Sequence, residues 1–268
     1  MIVVKAGGSR GVSLESVCAD VAWWSKEGGK IVLVHGGSNE SSAISEKLGH
    51  PPRFVTTPSG HSSRSTDRQT MEILAMVMGG RINTLLVERL QQLGVNAIGL
   101  CGSDGRLIEA KRKPTLRIVE DGKTRILRNE YSGRVEHVNE RLLQALVDAG
   151  YVPVIAPVAL SEAHELVNID GDRAAAAIAA VLHAEALVIL SNVPGLLRDI
   201  DDPSSLIDKL DAAHAQGALE RYAKGRMKRK LLGAIEAMRD GVQRVVLADG
   251  RVAQPLQQAW AGKGTVIT

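Results

Sequence analysis

The chain opens on a design that it then repeats. Ile2-Val3-Val4 runs through Lys5 and Ala6 into Gly7-Gly8-Ser9, and Ile31-Val32-Leu33-Val34 runs through His35 into Gly36-Gly37-Ser38. A short apolar run bounded by glycine reads as a strand buried on both faces, the kind that parallel sheets use. Residues without side chains just past the strand let backbone N–H groups approach an anion, and a lysine at the strand end adds a point charge suited to phosphate. Parallel strands finish on the same edge of a sheet, so the two turns are placed to face one ligand. A phosphate-bearing ligand is expected over Gly7, Gly8 and Ser9 with Lys5 beneath it. A plain strand-to-helix turn is the alternative reading of either stretch alone.

Beyond these anchors strands alternate with helices. Ser13 is placed to cap a helix running to about 27, with Leu14, Val17, Cys18, Val21 and Trp24 at helical spacing and Gly28-Gly29 ending it. Ser38 is placed to cap a helix over about 40–48. The Ser-, Thr-, Gly- and Pro-rich stretch 56–67 reads as a mobile hairpin or lid, and Thr66 as the cap of a long helix over 68–93. Further strands are expected at 96–100, 152–155, 186–190, 244–247 and 264–267, and helices at 139–149, 173–183 and 224–240. A short hairpin is expected at 116–119 and 124–127 around Asp121-Gly122. The alternation predicts an α/β fold whose mostly parallel sheet is covered on both faces, with a soft boundary near Ala156-Pro157.

Composition narrows the function. No apolar run in the 268 residues is expected to span a bilayer, and Lys5 and the glycines interrupt what would be the apolar part of a signal peptide. Cys18 and Cys101 stand far apart with no CxxC pair, so reduced thiols and a cytoplasmic protein are expected. With 3% aromatic residues and no recognised motif, nucleic acid is not an expected partner. GxxxxGK[ST], GxGxxG and HExxH are all missing, and the seven histidines lack metal-ligand spacing, so no zinc site is expected.

Four segments remain that carry chemistry. Lys5-Ala6-Gly7-Gly8-Ser9, His35-Gly36-Gly37, Asn168-x-Asp170-x-Asp172 and Gly225-x-Met227-x-x-Lys230 together resemble the motif set of the amino acid kinase family, in order and spacing over nearly the whole chain. Within it the chain is similar to N-acetylglutamate kinases. Gly60-His61-Ser62-Ser63-Arg64-Ser65-Thr66-Asp67, however, departs from their shorter Gly-Leu-Arg-Val-Thr-like run. It resembles the branch that phosphorylates the side-chain carboxylate of α-aminoadipate carried on a small acidic protein in lysine biosynthesis, with glutamate as a further acceptor.

That resemblance implies an open αβα sandwich, a homodimer built through the N-terminal lobe, ATP with Mg²⁺, and transfer of the γ-phosphoryl to a carboxylate. It implies that residues 1–156 bind the amino acid and that 157–268 bind nucleotide. Lys5 and Lys230 would stabilise charge on the transferred group, Gly8 and Gly37 would donate N–H bonds to it, and Asp172 would hold the lysines. Gly36, Gly37, Arg64 and Asn168 would hold the amino acid. Lys5, Gly7, Gly8, Ser9 and Lys230 would meet the nucleotide, together with Ser191, Asn192, Gly195 and Leu196, where Asn192 stands in place of a frequent Asp. No residue is implied as a metal ligand. For Asp172 a helix cap is the alternative reading, and for 224–230 a solvated basic face. No extended helix precedes Met1, so the hexamer-forming arm of arginine-inhibited relatives is expected to be absent.

The physics of those roles is consistent. A carboxylate is already a nucleophile at neutral pH, so the obstacle is bringing an anion against a polyphosphate, and positioning with charge stabilisation carries the reaction. Residues 104–134 hold nine basic residues against five acidic ones, an excess larger than the net +3 of the whole chain. Such a segment steers an acidic partner. Two other readings stand beside this one: a kinase for free N-acetylglutamate, and a non-catalytic nucleotide-binding module on the same fold.

Overall fold

The computed structural model describes all residues from 1 to 268 except Ser59, His61 and Asp121. Two residues of the expected lid, including the His61 of the motif around Arg64, and one of the expected hairpin turn thus lie outside the described residues.

The two anchor strands form as the sequence predicts. β1 (Ile2–Ala6) and β2 (Ile31–His35) are buried at every position. They pair in parallel at the middle of an eight-stranded sheet. β2 continues to β8 (Val152–Ala156) and β5 (Ala97–Cys101), and β1 continues to β11 (Ala186–Ser191), β13 (Arg244–Asp249), β14 (Thr265–Ile267) and β12 (Lys209–Leu210). Only β14 runs antiparallel to its neighbour β13.

Strand pleating sends alternate residues to opposite faces, and both faces carry helices. Val3, Val32, Val34 and Ile189 enter one core with α5 (Glu140–Asp148), α6 (Gly171–Val181) and α8 (Arg226–Arg239). Ile2, Val4, Leu33 and Val188 enter the other with α1 (Leu14–Lys26) and α9 (Pro255–Trp260). The result is the expected αβα sandwich.

Several local expectations are corrected. The second helix, α2 (Ser38–Lys47), begins at Ser38 itself, with Gly37 as its uncapped N-cap. Asp67, not Thr66, caps the long helix, its carboxylate accepting from the Thr70 N–H at 2.7 Å. Thr66 is buried instead. That helix comprises α3 (Arg68–Leu74), a π-helical stretch Ala75–Ile82, and α4 (Asn83–Gln92). By length and composition alone Arg68–Gln92 could cross a membrane. It is half-buried, and Met71, Leu74, Val77, Ile82, Leu86 and Leu90 pack into the second core.

The expected short hairpin is far longer: β6 (Ile108–Glu120) pairs with β7 (Lys123–Val138). With β3 (Phe54–Thr56), β4 (Ser62–Arg64), β9 (Val158–Ser161) and β10 (Leu166–Asn168) it forms a six-stranded second sheet. Exposed Lys and Arg break the apolar alternation along β6 and β7, so periodicity had little to detect.

Candidate active site

The carboxyl ends of β1 and β2 lie side by side, Ala6 opposite His35. Gly36 N–H donates to Ala6 O at 2.8 Å and Asn39 N–H to Gly8 O at 3.0 Å, which draws the two glycine turns together. Contact is between main chains: a Cβ on Gly8 would lie 2.2 Å from the Gly37 nitrogen, and one on Gly36 2.5 Å from the Gly8 nitrogen. Glycine is required at both positions by space. Among the described residues neither the Gly8 nor the Gly37 N–H has a protein acceptor. Two free donors therefore stand in the wall of a cavity of about 600 Å³.

Lys5 sits on the same face of β1 as Val3, the face that α6 covers. Its ammonium lies 2.8 Å from Asp172 Oδ1, and that of Lys230, from α8, lies 3.1 Å from Asp172 Oδ2. The cap of α6 is Asp170, whose carboxylate accepts from the Asp172 and Arg173 N–H groups. Asp172 is thus free of the capping role and bridges two cations. Burial pushes its carboxyl up, but the ammonium groups of Lys230 and Lys5 outweigh that and hold it well below the usual carboxylate range. Burial draws the Lys230 ammonium down, with Asp172 opposing. An anion arriving here meets ammonium groups that share a single carboxylate.

The other side of the cavity comes from the second sheet and the helix it meets. Arg64 is nearly buried and packs over the Phe54 ring at 5.0 Å. It donates from Nη2 to Ser38 O at 3.1 Å and to Ser42 Oγ at 2.8 Å. Asn168 ends β10 and donates to Thr66 Oγ1 at 3.2 Å, while that hydroxyl donates to Arg64 O at 3.3 Å. Thr66 N–H in turn donates to the buried carboxylate of Glu130 at 2.9 Å. Thr66 therefore ties Arg64 and Asn168 into one wall.

Of the residues singled out from sequence, Lys5, Gly8, Ser9, Gly36, Gly37, Arg64, Asn168, Asp172 and Lys230 line this cavity. Gly7, Ser191, Asn192, Gly195 and Leu196 do not. Gly7 N–H donates to Leu190 O at 2.9 Å, and the fully buried Leu196 donates its N–H to Thr265 Oγ1 at 2.8 Å. They stand beside the glycine turn, since Ala6 pairs with Leu190.

Sequence reading missed Arg226 and Arg229. Arg226 Nη1 donates to Ser9 Oγ at 3.1 Å across the cavity, and Arg229 Nη1 lies 3.6 Å from Asp170 Oδ2. Gly225, with φ 51° and ψ −122°, begins α8 in a conformation that side chains avoid and so aims Arg226 at Ser9. Their signal was present in the basic run 224–230.

The profile of the Amino acid kinase family matches residues 1–249. The LysW-aminoadipate kinase of Deinococcus radiodurans is 54% identical over the whole of this chain and 91% of its own length. The protein of the same name from Thermus thermophilus is 52% identical over the whole of both chains. The acetylglutamate kinase of Moorella thermoacetica is 37% identical over 94% of this chain and 84% of its own. Among solved structures, N-acetylglutamate synthase from Neisseria gonorrhoeae, complexed with coenzyme A and N-acetyl-glutamate, superposes with a TM-score of 0.80 at 26% identity. All of this chain is covered, and it spans 59% of that synthase. Carbamate kinase from Giardia lamblia bound to AMP-PNP has a TM-score of 0.69 at 16% identity, covering 99% of this chain and 98% of its own, a likeness of fold alone.

Proposed function

This chain belongs to the amino acid kinase family, and from that membership we propose that it phosphorylates the side-chain carboxylate of α-aminoadipate carried on a small acidic protein. ATP supplies the γ-phosphoryl and the product is an acyl phosphate for lysine biosynthesis, with carrier-bound glutamate as a further acceptor. The observation that carries the reading is the pair of ammonium groups on Asp172 beside two main-chain donors with no protein acceptor among the described residues, in a chain 54% identical to a LysW-aminoadipate kinase.

A substrate carboxylate oxygen attacks the γ-phosphorus, and the bond from that phosphorus to the β–γ bridging oxygen breaks, releasing ADP. No general base is needed. Lys5 and Lys230 offset the negative charge that gathers on the transferred group, and the Gly8 and Gly37 N–H groups point at it. Asp172 holds both lysines in place. Arg64 and Asn168 hold the amino acid opposite, with Gly36 and Gly37 beneath it. Arg226 and Ser9 stand where the polyphosphate enters, with Gly7 and the Ser191, Asn192, Gly195 and Leu196 stretch on the nucleotide side.

Mg²⁺ travels with the nucleotide in this reading. Among the described residues no group of three or more His, Cys, Asp or Glu side chains could hold a metal, and Asp170 and Asp172 both face cations. When bound, the ion neutralises phosphate charge. The same reading assigns 1–156 to amino-acid binding and dimerisation and 157–268 to nucleotide, in a cytoplasmic homodimer. Exposed Met76 and Leu85 on the long helix offer apolar surface for that contact.

The test is ATP-dependent acyl hydroxamate formation with the aminoadipate adduct of the acidic carrier and, in parallel, with free N-acetylglutamate. Turnover of the adduct alone supports the proposal. Turnover of free N-acetylglutamate alone moves the enzyme to arginine biosynthesis, and turnover of neither leaves a nucleotide-binding module.

A further inference from the structure

His35 is fully buried at the end of β2, immediately before the glycine turn, and the mechanism above gives it no task. Its surroundings determine its tautomer. Asn83, itself buried, has two amide hydrogens and two acceptors: Val154 O at 2.9 Å and His35 Nε2 at 3.1 Å. With both hydrogens donated, Nε2 must be a bare acceptor, so the proton sits on Nδ1, which donates to Gly36 O at 3.0 Å. Burial, reinforced by nearby Lys5 and opposed by the Gly36 hydrogen bond, draws the histidine down to about 4, so the ring is neutral.

The Gly36 carbonyl belongs to the peptide unit whose N–H is that of Gly37. In a planar trans peptide the C=O and N–H point in opposite directions. Holding that oxygen on His35 therefore fixes the direction of the Gly37 donor. We infer that His35 and Asn83 are positioning residues of this site, pinning the Gly36 carbonyl so that the Gly37 N–H is aimed into the cavity.

The π-helical stretch supports the pin. It delivers Asn83 to His35, and it also brings Met78 and Ile82 against Gly37, where a Cβ would lie 2.8 Å from Met78 Cγ and 2.7 Å from Ile82 Cδ1. On the far side, Asn83 Oδ1 fills the space that a side chain on Gly99 would need, at 2.1 Å from its Cβ position. The turn is gripped from its carbonyl and from its α-carbon at once. The inference rests on the phosphoryl-transfer reading of the cavity.

The test compares His35→Asn, which puts an amide nitrogen where Nδ1 stands, with His35→Gln, which puts one where Nε2 stands, and with Asn83→Leu. Hydroxamate formation by His35→Asn is expected to stay within about threefold of wild type, while His35→Gln and Asn83→Leu lose roughly 10- to 100-fold in kcat with both KM values nearly unchanged. Wild-type turnover in His35→Gln, or a rise in KM at constant kcat, overturns the inference. A turnover-free readout keeps it separate from the kinase reading. AMP-PNP should shift the Gly37 amide resonance in wild type and His35→Asn but much less in His35→Gln, and equal shifts in all three overturn it.

Discussion

Gly8 and Gly37 meet main chain to main chain: a Cβ on the first would lie 2.2 Å from the nitrogen of the second. The donors of the two turns converge because nothing stands between them. Gly8→Ala must therefore spread the turns. We expect kcat to fall by at least about 100-fold, since displacement of about 1 Å is enough for that loss. Stopped-flow or coupled assay at saturating substrates reads it, and an alanine variant with wild-type kcat removes these donors from the mechanism.

Lys5 and Lys230 share Asp172 at 2.8 and 3.1 Å. Lys5→Ala or Lys230→Ala is expected to lower kcat by at least about 100-fold, in line with loss of a transition-state donor at roughly 2.7–4 kcal/mol. Either variant turning over near the wild-type rate refutes the role given to that lysine.

Arg64 is a fork whose Nη2 donates to Ser38 O and Ser42 Oγ while the residue lines the cavity. A lysine has a single charged point and cannot do both. Arg64→Lys should raise KM for the amino-acid substrate with KM for ATP little changed. An unchanged acceptor KM takes Arg64 out of the substrate site.

Lys111, Lys113, Arg117, Lys123 and Arg128 on the long hairpin make no ion pair among the described residues, and Lys113 reaches the cavity. An acidic carrier docking there should bind markedly more weakly as salt rises from about 0.05 to 0.5 M, because screening shortens the reach of charge. Calorimetric titration at both salts checks this, and affinity independent of salt rules out docking on this surface.

His35 has its folded value drawn from 6.5 down to about 4 by burial. The unfolded chain thus takes up a proton first as pH falls. The stability held above pH 6.5 is lost progressively toward pH 4, by about 3 kcal/mol at most. His35→Asn lacks this group, so its unfolding free energy should fall less between pH 7 and pH 4.5 in urea titrations. Identical pH dependence in the two proteins would show that His35 does not titrate in this way.

What could be read along the chain was what neighbouring residues decide. Apolar runs ending in Gly-Gly placed β1 and β2 and the edge where their turns meet, because strand burial and glycine's freedom are local properties. Ser13 was legible as a cap for the same reason. Asp172 was not, since Asp170 two residues earlier has the same chemistry and only the chain's path decides which carboxylate caps. The long basic hairpin hid because charge on exposed strand faces erases alternation, and the π-helical stretch because its widened turn leaves no mark in a helical period. The sequence alone therefore determined the central sheet, its glycine edge and the identity of Lys5 and Lys230. Tertiary structure alone decided that Lys5, Asp172 and Lys230, and likewise Ser9 and Arg226, stand within hydrogen-bond reach. The physical reason is that a charge network between residues far apart in the chain exists only after the strands have paired and brought their ends together.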